Sequence, residues 1–130
     1  MNTITFSVGA PVTPQDICNL REAVGWDRHD EDYPAAFQRY WATVSGFDPS
    51  GSLRAWCAIL SDGVRHAVLL DVIVHPDYQR QGVGTALVAR AIQHIQVHGI
   101  SIIHVDFIPE HAPFYEQCGF QIGLGGIYKE

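Results

Sequence analysis

Residues 75 to 84 read HPDYQRQGVG, with two glycines one residue apart behind Gln79, Arg80 and Gln81. An aliphatic run precedes them and a helical pattern follows. A helix whose first turn is rich in glycine presents unpaired backbone N–H groups at the positive end of its dipole, which suits an anion and above all a phosphate. Gly82 and Gly84 would let that backbone come close. Asp71 is a carboxylate inside the aliphatic stretch Ala67 to Val74, where burial raises a carboxyl pKa toward that of a proton acceptor. The other reading of Asp71 is a structural partner for a neighbouring arginine. His75 and Asp106 are weaker proton acceptors; the first reads as shaping a strand end before Pro76, the second as capping or pairing near the next helix. His94 and His98 stand at i, i+4 on one helix edge, a spacing that zinc ligands use. No Glu in an H-E-x-x-H position and no third ligand accompany them, so they read as solvated helix edge and no metal is expected. Cys118 reads as packed rather than nucleophilic.

The elements that must hold these residues follow from periodicity and punctuation. TITFSVG, residues 3–9, alternates as a strand, and TPQDICNLREAVGW, 13–26, opens with Thr13 and Pro14 in N-cap and first-turn positions, predicting a helix that ends near Gly25. DRHDEDYP is an acidic loop, and a short second helix is expected over 35–41. Three extended runs, 40–47, 52–60 and 65–74, separated by DPSG and SDG, predict an antiparallel meander. Over 82–99, Gly84, Leu87, Val88, Ala91, Ile92 and Ile95 share one helical face opposite Arg90, Gln93 and Gln96, and Gly99 ends the helix. A strand over 100–107, a short helix over 109–118 and a terminal pair of short strands over 120–129 complete the reading. The class is mixed α and β, with one strand–helix–strand crossover at 67–106.

Composition bounds what this frame can do. A chain of 130 residues with 47% hydrophobic and 17% charged residues buries a core in one compact unit, so a single domain over 1–130 is expected and disorder is not. Net charge is −6 and the one lysine is Lys129, which argues against a nucleic-acid surface and favours a cationic or neutral small molecule. Cys18, Cys57 and Cys118 form neither a disulfide framework nor a CxxC pattern. With no secretory start and no apolar run of membrane-spanning length, a soluble cytoplasmic protein is expected, without membrane partners.

Two kinds of phosphate ligand compete for the loop. A dinucleotide fold would use Gly82 and Gly84 as G-x-G with Asp106 downstream, but the third glycine position is Leu87 and seven residues separate the strand from Gly82, where that turn is tight. A nucleotide-triphosphate loop would need Gly-Lys-Ser/Thr, which does not occur. The whole string LLDVIVHPDYQRQGVGTALV instead closely resembles the signature of the GNAT acyltransferase superfamily, and PFYEQCGF at 113–120 is similar to that family's Pro-Phe-Tyr-Glu-x-x-Gly-Phe segment. LREAVGW, LSDG and DVIVHP look like a bacterial branch of small, single-domain N-acetyltransferases with diverse acceptors.

The resemblance implies an α+β, GNAT-like acyl-CoA N-acyltransferase fold: a mixed, mostly antiparallel central sheet flanked by helices. It implies a transferase that moves an acetyl group from acetyl-CoA, its cosubstrate, to a primary amine of a small molecule or peptide by direct attack. The CoA pyrophosphate would lie on backbone amides of Gln79, Arg80, Gln81, Gly82, Val83, Gly84 and Thr85, with the Arg80 or Gln81 side chain available to the outer phosphates. The thioester carbonyl would meet the strand where Val72 to Val74 splays from its neighbour, Val74 N–H being the named donor. Tyr115 takes the general-acid position, against the plainer reading of Phe114 and Tyr115 as core aromatics, and Asp71 is the candidate base in a family that has members without one. The acceptor would enter beside the first two helices, where Trp26 and Tyr33 with Asp27, Asp30, Glu31 and Asp32 would make a negative, aromatic-rimmed mouth for a cationic amine; an ordinary solvated loop is the other reading. The alternative function is a non-catalytic acyl-CoA-binding or regulatory module. Exposed sheet edges and the terminal strand make a homodimer possible.

Overall fold

The computed structural model describes residues 3–130. Five strands form one sheet in the order β1-β2-β3-β4-β5. β1 (Thr5–Val8), β2 (Ala42–Phe47), β3 (Leu53–Ser61) and β4 (His66–Val74) pair antiparallel, and β5 (Ile102–Val105) lies parallel to β4. A parallel neighbour needs a crossover, which the helix α3 (Val83–Val97) supplies. This is the expected α+β class with a mixed, mostly antiparallel sheet flanked by helices.

Each face of the sheet carries its own core. On one, α3 lays Val83, Leu87, Val88, Ala91 and Ile95 against Val44, Cys57, Ile59 and Leu69, and α4 (Ala112–Gln117) adds Tyr115. Burying a residue such as Leu87 or Ile95 contributes about 1.5–3 kcal/mol. On the other face, α1 (Pro14–Ala23) and α2 (Tyr33–Phe37) cover Trp56, Ala58 and Ile73 with Ile17, Cys18, Leu20 and Tyr33. α1 starts where its sequence says it must: the Thr13 hydroxyl accepts from Asp16 N–H at 3.1 Å while the Asp16 carboxylate accepts from Thr13 N–H at 3.0 Å, a reciprocal cap that stabilises by about 1 kcal/mol.

A bulge in β4 sets up the site. Pairing passes from Leu70 opposite Ala58 to Ile73 opposite Trp56, which leaves Asp71 and Val72 together opposite Cys57. Asp71 absorbs the extra residue at φ +53°, a backbone region that side-chain-bearing residues seldom occupy. The bulge reverses the strand's alternation. Ala67 and Leu69 face α3 before it, Val72 and Val74 face α3 after it, and Asp71 is turned toward α1 and α2, where Leu70 and Ile73 also pack. Pairing with β5 ends at Leu69 opposite Val105, so β4 and β5 diverge where the bulge begins.

Several expected elements are displaced. The second helix spans Tyr33–Phe37 instead of 35–41, because Pro34 fits a first turn, where its missing N–H costs nothing, while the sheet recruits Trp41, whose N–H donates to the Ile59 carbonyl at 2.9 Å. The strand expected over 100–107 keeps four residues, its pairing ending with the divergence of β4. The helix over 109–118 divides into a 3-10 turn at Pro109–His111 and α4. The terminal strand pair over 120–129 does not form. Gly123, Gly125 and Gly126 interrupt that segment, and glycine weakens a strand by entropy and by having nothing to pack; Ile122, Leu124, Ile127 and Tyr128 are exposed. Among the described residues no helix is long and apolar enough to cross a membrane.

Candidate active site

The glycine loop is built by contacts between near neighbours in sequence. His75 Nδ1 accepts from Asp77 N–H at 3.1 Å and starts a 3-10 turn at Pro76–Tyr78, with Tyr78 buried beneath it. The Gln79 side chain donates back to the Val74 carbonyl at 2.9 Å and that of Gln81 to the Asp77 carbonyl at 3.1 Å. The Gln81 amide is therefore spent bracing the loop, which corrects its expected availability to an outer phosphate; the exposed Arg80 keeps that availability. Arg80 at φ +62° and Gly82 at φ +82° turn the chain into α3; the Gln79 N–H, expected among the phosphate amides, donates instead to the Pro76 carbonyl at 3.4 Å, while those of Arg80, Gln81, Gly82, Val83, Gly84 and Thr85 meet no acceptor among the described residues. Such a run of unpaired amides forms an anion-binding concavity.

The two glycines serve different ends. A Cβ added at Gly82 would meet nothing within 4 Å, so the space before it is open and the left-handed backbone is what requires glycine. A Cβ at Gly84 would lie 3.2 and 3.3 Å from Phe114 ring carbons and 3.6 Å from Val74 Cγ2. Gly84 thus lets α3 seat on α4 and β4, a packing role that stands beside the one expected of it.

Beside this loop the divergence of β4 from β5 leaves backbone groups unclaimed. His75 N–H donates to Arg54 of β3 at 2.8 Å, so by the alternation of a strand the N–H groups of Val74 and Val72 point away from β3 into the gap. Tyr115 stands in the same core cluster as Val72 and Val74. Its ring stacks on Phe107 with centroids 4.7 Å apart and meets Phe114 and Phe120 edge-on at 4.9 and 5.8 Å. Both readings of this residue hold at once: it is a core aromatic, 6% exposed, whose hydroxyl has no partner among the described residues and is not fully enclosed. Burial, with Cys118, Cys57 and Asp106 nearby, pushes its pKa up to about 12.

On the opposite face the bulge delivers Asp71 into a side-chain network. Tyr33 Oη donates to Asp71 Oδ2 at 2.6 Å, Arg21 Nη1 lies 3.3 Å from Asp71 Oδ1 and donates to Tyr33 Oη at 3.1 Å, and Arg21 Nε donates to the Asp27 carbonyl. Asp71 is thus a paired carboxylate. Burial raises the Tyr33 phenol, helped by the hydrogen bond to Asp71 and its charge, and burial pushes Tyr40 up to about 12 with Asp71 adding to the effect. These residues, with His29, Asp32 and Ala36, line a cleft of about 230 Å³. A larger cleft of about 480 Å³ lies between α1 and the β2–β3 turn; its Arg54 is committed to Asp48 at 2.9 Å.

The expected acidic mouth is rearranged. Tyr33 is buried at 4% instead of standing on a rim, and it reaches the cleft as the donor to Asp71. Trp26 is exposed outside the cleft lining, with the Arg21 guanidinium 5.1 Å from its ring centroid. Asp30 is drawn away by Arg28, which meets both its oxygens at 3.1 Å and holds its carboxyl below the usual range. Of the four loop acids only Asp32 lines the cleft, 3.5 Å from His29 Nδ1. Four lining residues, Arg21, His29, Ala36 and Tyr40, stand outside the sequence expectation. Arg21 had a signal: with Ile17, Cys18 and Leu20 it forms the buried stripe of α1, and a charge on an apolar stripe needs a partner.

His94 and His98 are not simply a solvated edge, since both pack on Trp41 with ring centroids 5.3 and 5.2 Å away, and burial lowers the His94 pKa. Among the described residues no three His, Cys, Asp or Glu side chains gather as a metal site.

A family model described as "Acetyltransferase (GNAT) domain" matches residues 38–122. An uncharacterized N-acetyltransferase of Gracilaria tenuistipitata var. liui is 29% identical over 128 residues, covering 95% of this chain and 70% of that protein. Over the first three curated relatives this chain spans 70%, 37% and 64% of their lengths. A probable acetyltransferase from meticillin-resistant Staphylococcus aureus superposes with TM-score 0.85 at 20% identity, covering 98% of this chain and 99% of that one. An Escherichia coli GNAT family N-acetyltransferase, solved in complex with CoA, gives TM-score 0.77 at 16% identity over 93% of this chain and 70% of its own.

Proposed function

This chain belongs to the GNAT acetyltransferase family and is an acyltransferase, and we propose that within one domain, residues 1–130, it moves an acetyl group from acetyl-CoA to a primary amine of a small molecule or peptide. The carrying observation is the run of unpaired amides from Arg80 to Thr85 at the mouth of the gap between β4 and β5. Six N–H donors at a helix start suit the pyrophosphate, and the open space before Gly82 admits it. Arg80 supplies a cation for an outer phosphate. The pantetheine arm then follows the gap, and the Val74 and Val72 N–H groups bond the thioester oxygen as it gains charge.

The chemistry is direct attack. The acceptor's ammonium gives up one proton, the lone pair so freed forms a bond to the acetyl carbon, the C–S bond breaks with its electron pair on sulfur, the second proton lost from nitrogen offsets the one that sulfur takes up, and the products are the amide, the CoA thiol and one proton. Asp71 holds the acceptor amine and takes the proton it sheds, directly or through water. Tyr115 is a hydrogen-bond donor to the leaving sulfur: with its pKa about 12 against a thiol near 8.5, full transfer would be uphill by about 5 kcal/mol, so the proton shifts only as charge develops. The unpaired thiols of Cys18 and Cys57, both buried, fit a reducing cytoplasm, and the exposed apolar side chains of 122–128 fit a homodimer.

Calorimetric titration with acetyl-CoA tests the donor site. Binding by the wild-type protein that is lost when Gly82 and Gly84 both become valine supports it; no binding at millimolar ligand removes it. Tyr115→Phe then separates chemistry from binding, since turnover must fall while acetyl-CoA affinity is kept.

A further inference from the structure

The cleft beside Asp71 carries more than an amine needs. Arg21 spends Nε on the Asp27 carbonyl and Nη1 on Tyr33 and Asp71, while Nη2 meets no acceptor among the described residues. Its side chain is 11% exposed and lines the cleft. Buried polar groups are nearly always satisfied, and Nη2 is not among the enclosed, partnerless atoms, so it keeps some access to solvent in a residue that lines the cleft. Asp71, with 29% of its side chain exposed, keeps lone pairs on both oxygens beyond those that Arg21 and Tyr33 engage. A cation donor and an anion acceptor therefore stand side by side, 3.3 Å apart, over a volume of about 230 Å³ that is too small for a drug-sized ligand.

We propose that the acceptor is a free α-amino acid, its carboxylate on Arg21 Nη2, its amine on Asp71 and its side chain against Tyr40 and Ala36. The proposal rests on the acetyl-transfer reading of this same cleft. An α-amino acid carries its two charges on one carbon, which matches the adjacent charges of Arg21 and Asp71. A simple cationic amine would leave Arg21 Nη2 without an acceptor although Nη1 stays paired with Asp71, and a peptide N-terminus would bring a carbonyl where Nη2 can take a carboxylate. The product is an N-acetyl amino acid, with the CoA thiol and one proton.

The test compares matched acceptors with acetyl-CoA on the wild-type protein: L-phenylalanine, L-phenylalanine amide and 2-phenylethylamine, then L-leucine, its amide and 3-methylbutylamine, read as thiol release. The free amino acids should exceed the capped or decarboxylated partners in kcat/KM by about tenfold or more. In Arg21→Gln that ratio should shrink to within about twofold, and Ala36→Leu should move preference toward smaller side chains. Equal or faster transfer to the amide or the amine by the wild-type protein overturns the proposal and points to peptides or simple amines. If Arg21→Gln does not fold, the wild-type ratio alone decides. Acetyl-CoA bound without transfer to any common amino acid also overturns it and leaves the donor site standing, whereas failure to bind acetyl-CoA removes the donor reading itself.

Discussion

The glycine loop and the cleft beside Asp71 lie on either side of one strand and are built in opposite ways. The loop is assembled over ten residues: Gln81 reaches four residues back, Gln79 five, and His75 two forward. The cleft is assembled across the chain, Arg21 meeting Tyr33 twelve residues on and Tyr33 meeting Asp71 thirty-eight residues on. A local device survives changes elsewhere, whereas a long-range one depends on the bulge that turns Asp71 toward α1. What separates them is the source of their order: backbone conformation in the loop, side-chain charge in the cleft.

The sharpest way to break that contrast is at Gly84. Valine there drives side-chain atoms into Phe114 and Val74, and acetyl-CoA affinity should fall by about 100-fold or more, with a lowered Tm, in calorimetry and thermal unfolding. Gly82→Ala, where there is room but the backbone is left-handed, should cost only about 1 kcal/mol, a weakening of roughly fivefold. Tyr115→Phe should lower kcat about 100-fold with acetyl-CoA affinity within about threefold, measured by steady-state kinetics and titration. Asp71→Asn should lower acceptor kcat/KM by about tenfold or more and leave acetyl-CoA binding unchanged, which places the damage on the cleft side alone.

Two smaller effects sharpen the picture. The raised pKa of Tyr115, about 12, means the phenol keeps its proton below that pH, so turnover should hold through pH 10, where an ordinary tyrosine would be half ionised; a fall centred near pH 10 would contradict this placement. Asp30→Asn should change the acceptor KM by less than about twofold, because Arg28 already occupies that carboxylate and exposed pairs contribute little.

Much of the frame was legible because it is written in short-range chemistry. Thr13 and Pro14 start α1, the apolar stripe from Leu87 to Ile95 seats α3, and HPDYQRQGVG marks the turn that exposes the amides. The loss of the terminal strands was less legible: alternation over 120–129 suggests pairing, but pairing needs a neighbour, and three glycines in that segment remove the side chains that would hold one. The mouth was misjudged for a related reason. Acidic residues counted along 27–32 look like a negative rim until Arg28 folds back on Asp30 and Arg21 on the Asp27 carbonyl.

By itself the sequence determined the mixed α and β class of fold and the place of the glycine loop, because periodicity, capping and positive-φ turns are decided among near neighbours, whereas Tyr115 stood out only through the resemblance of PFYEQCGF to the family's segment. The tertiary structure alone decided that Asp71 faces α1 and not the α3 core, and that it meets Arg21 and Tyr33 there. One extra residue opposite Cys57 inverts the alternation of β4, and the register between strands is a property of pairing that no stretch of one strand contains.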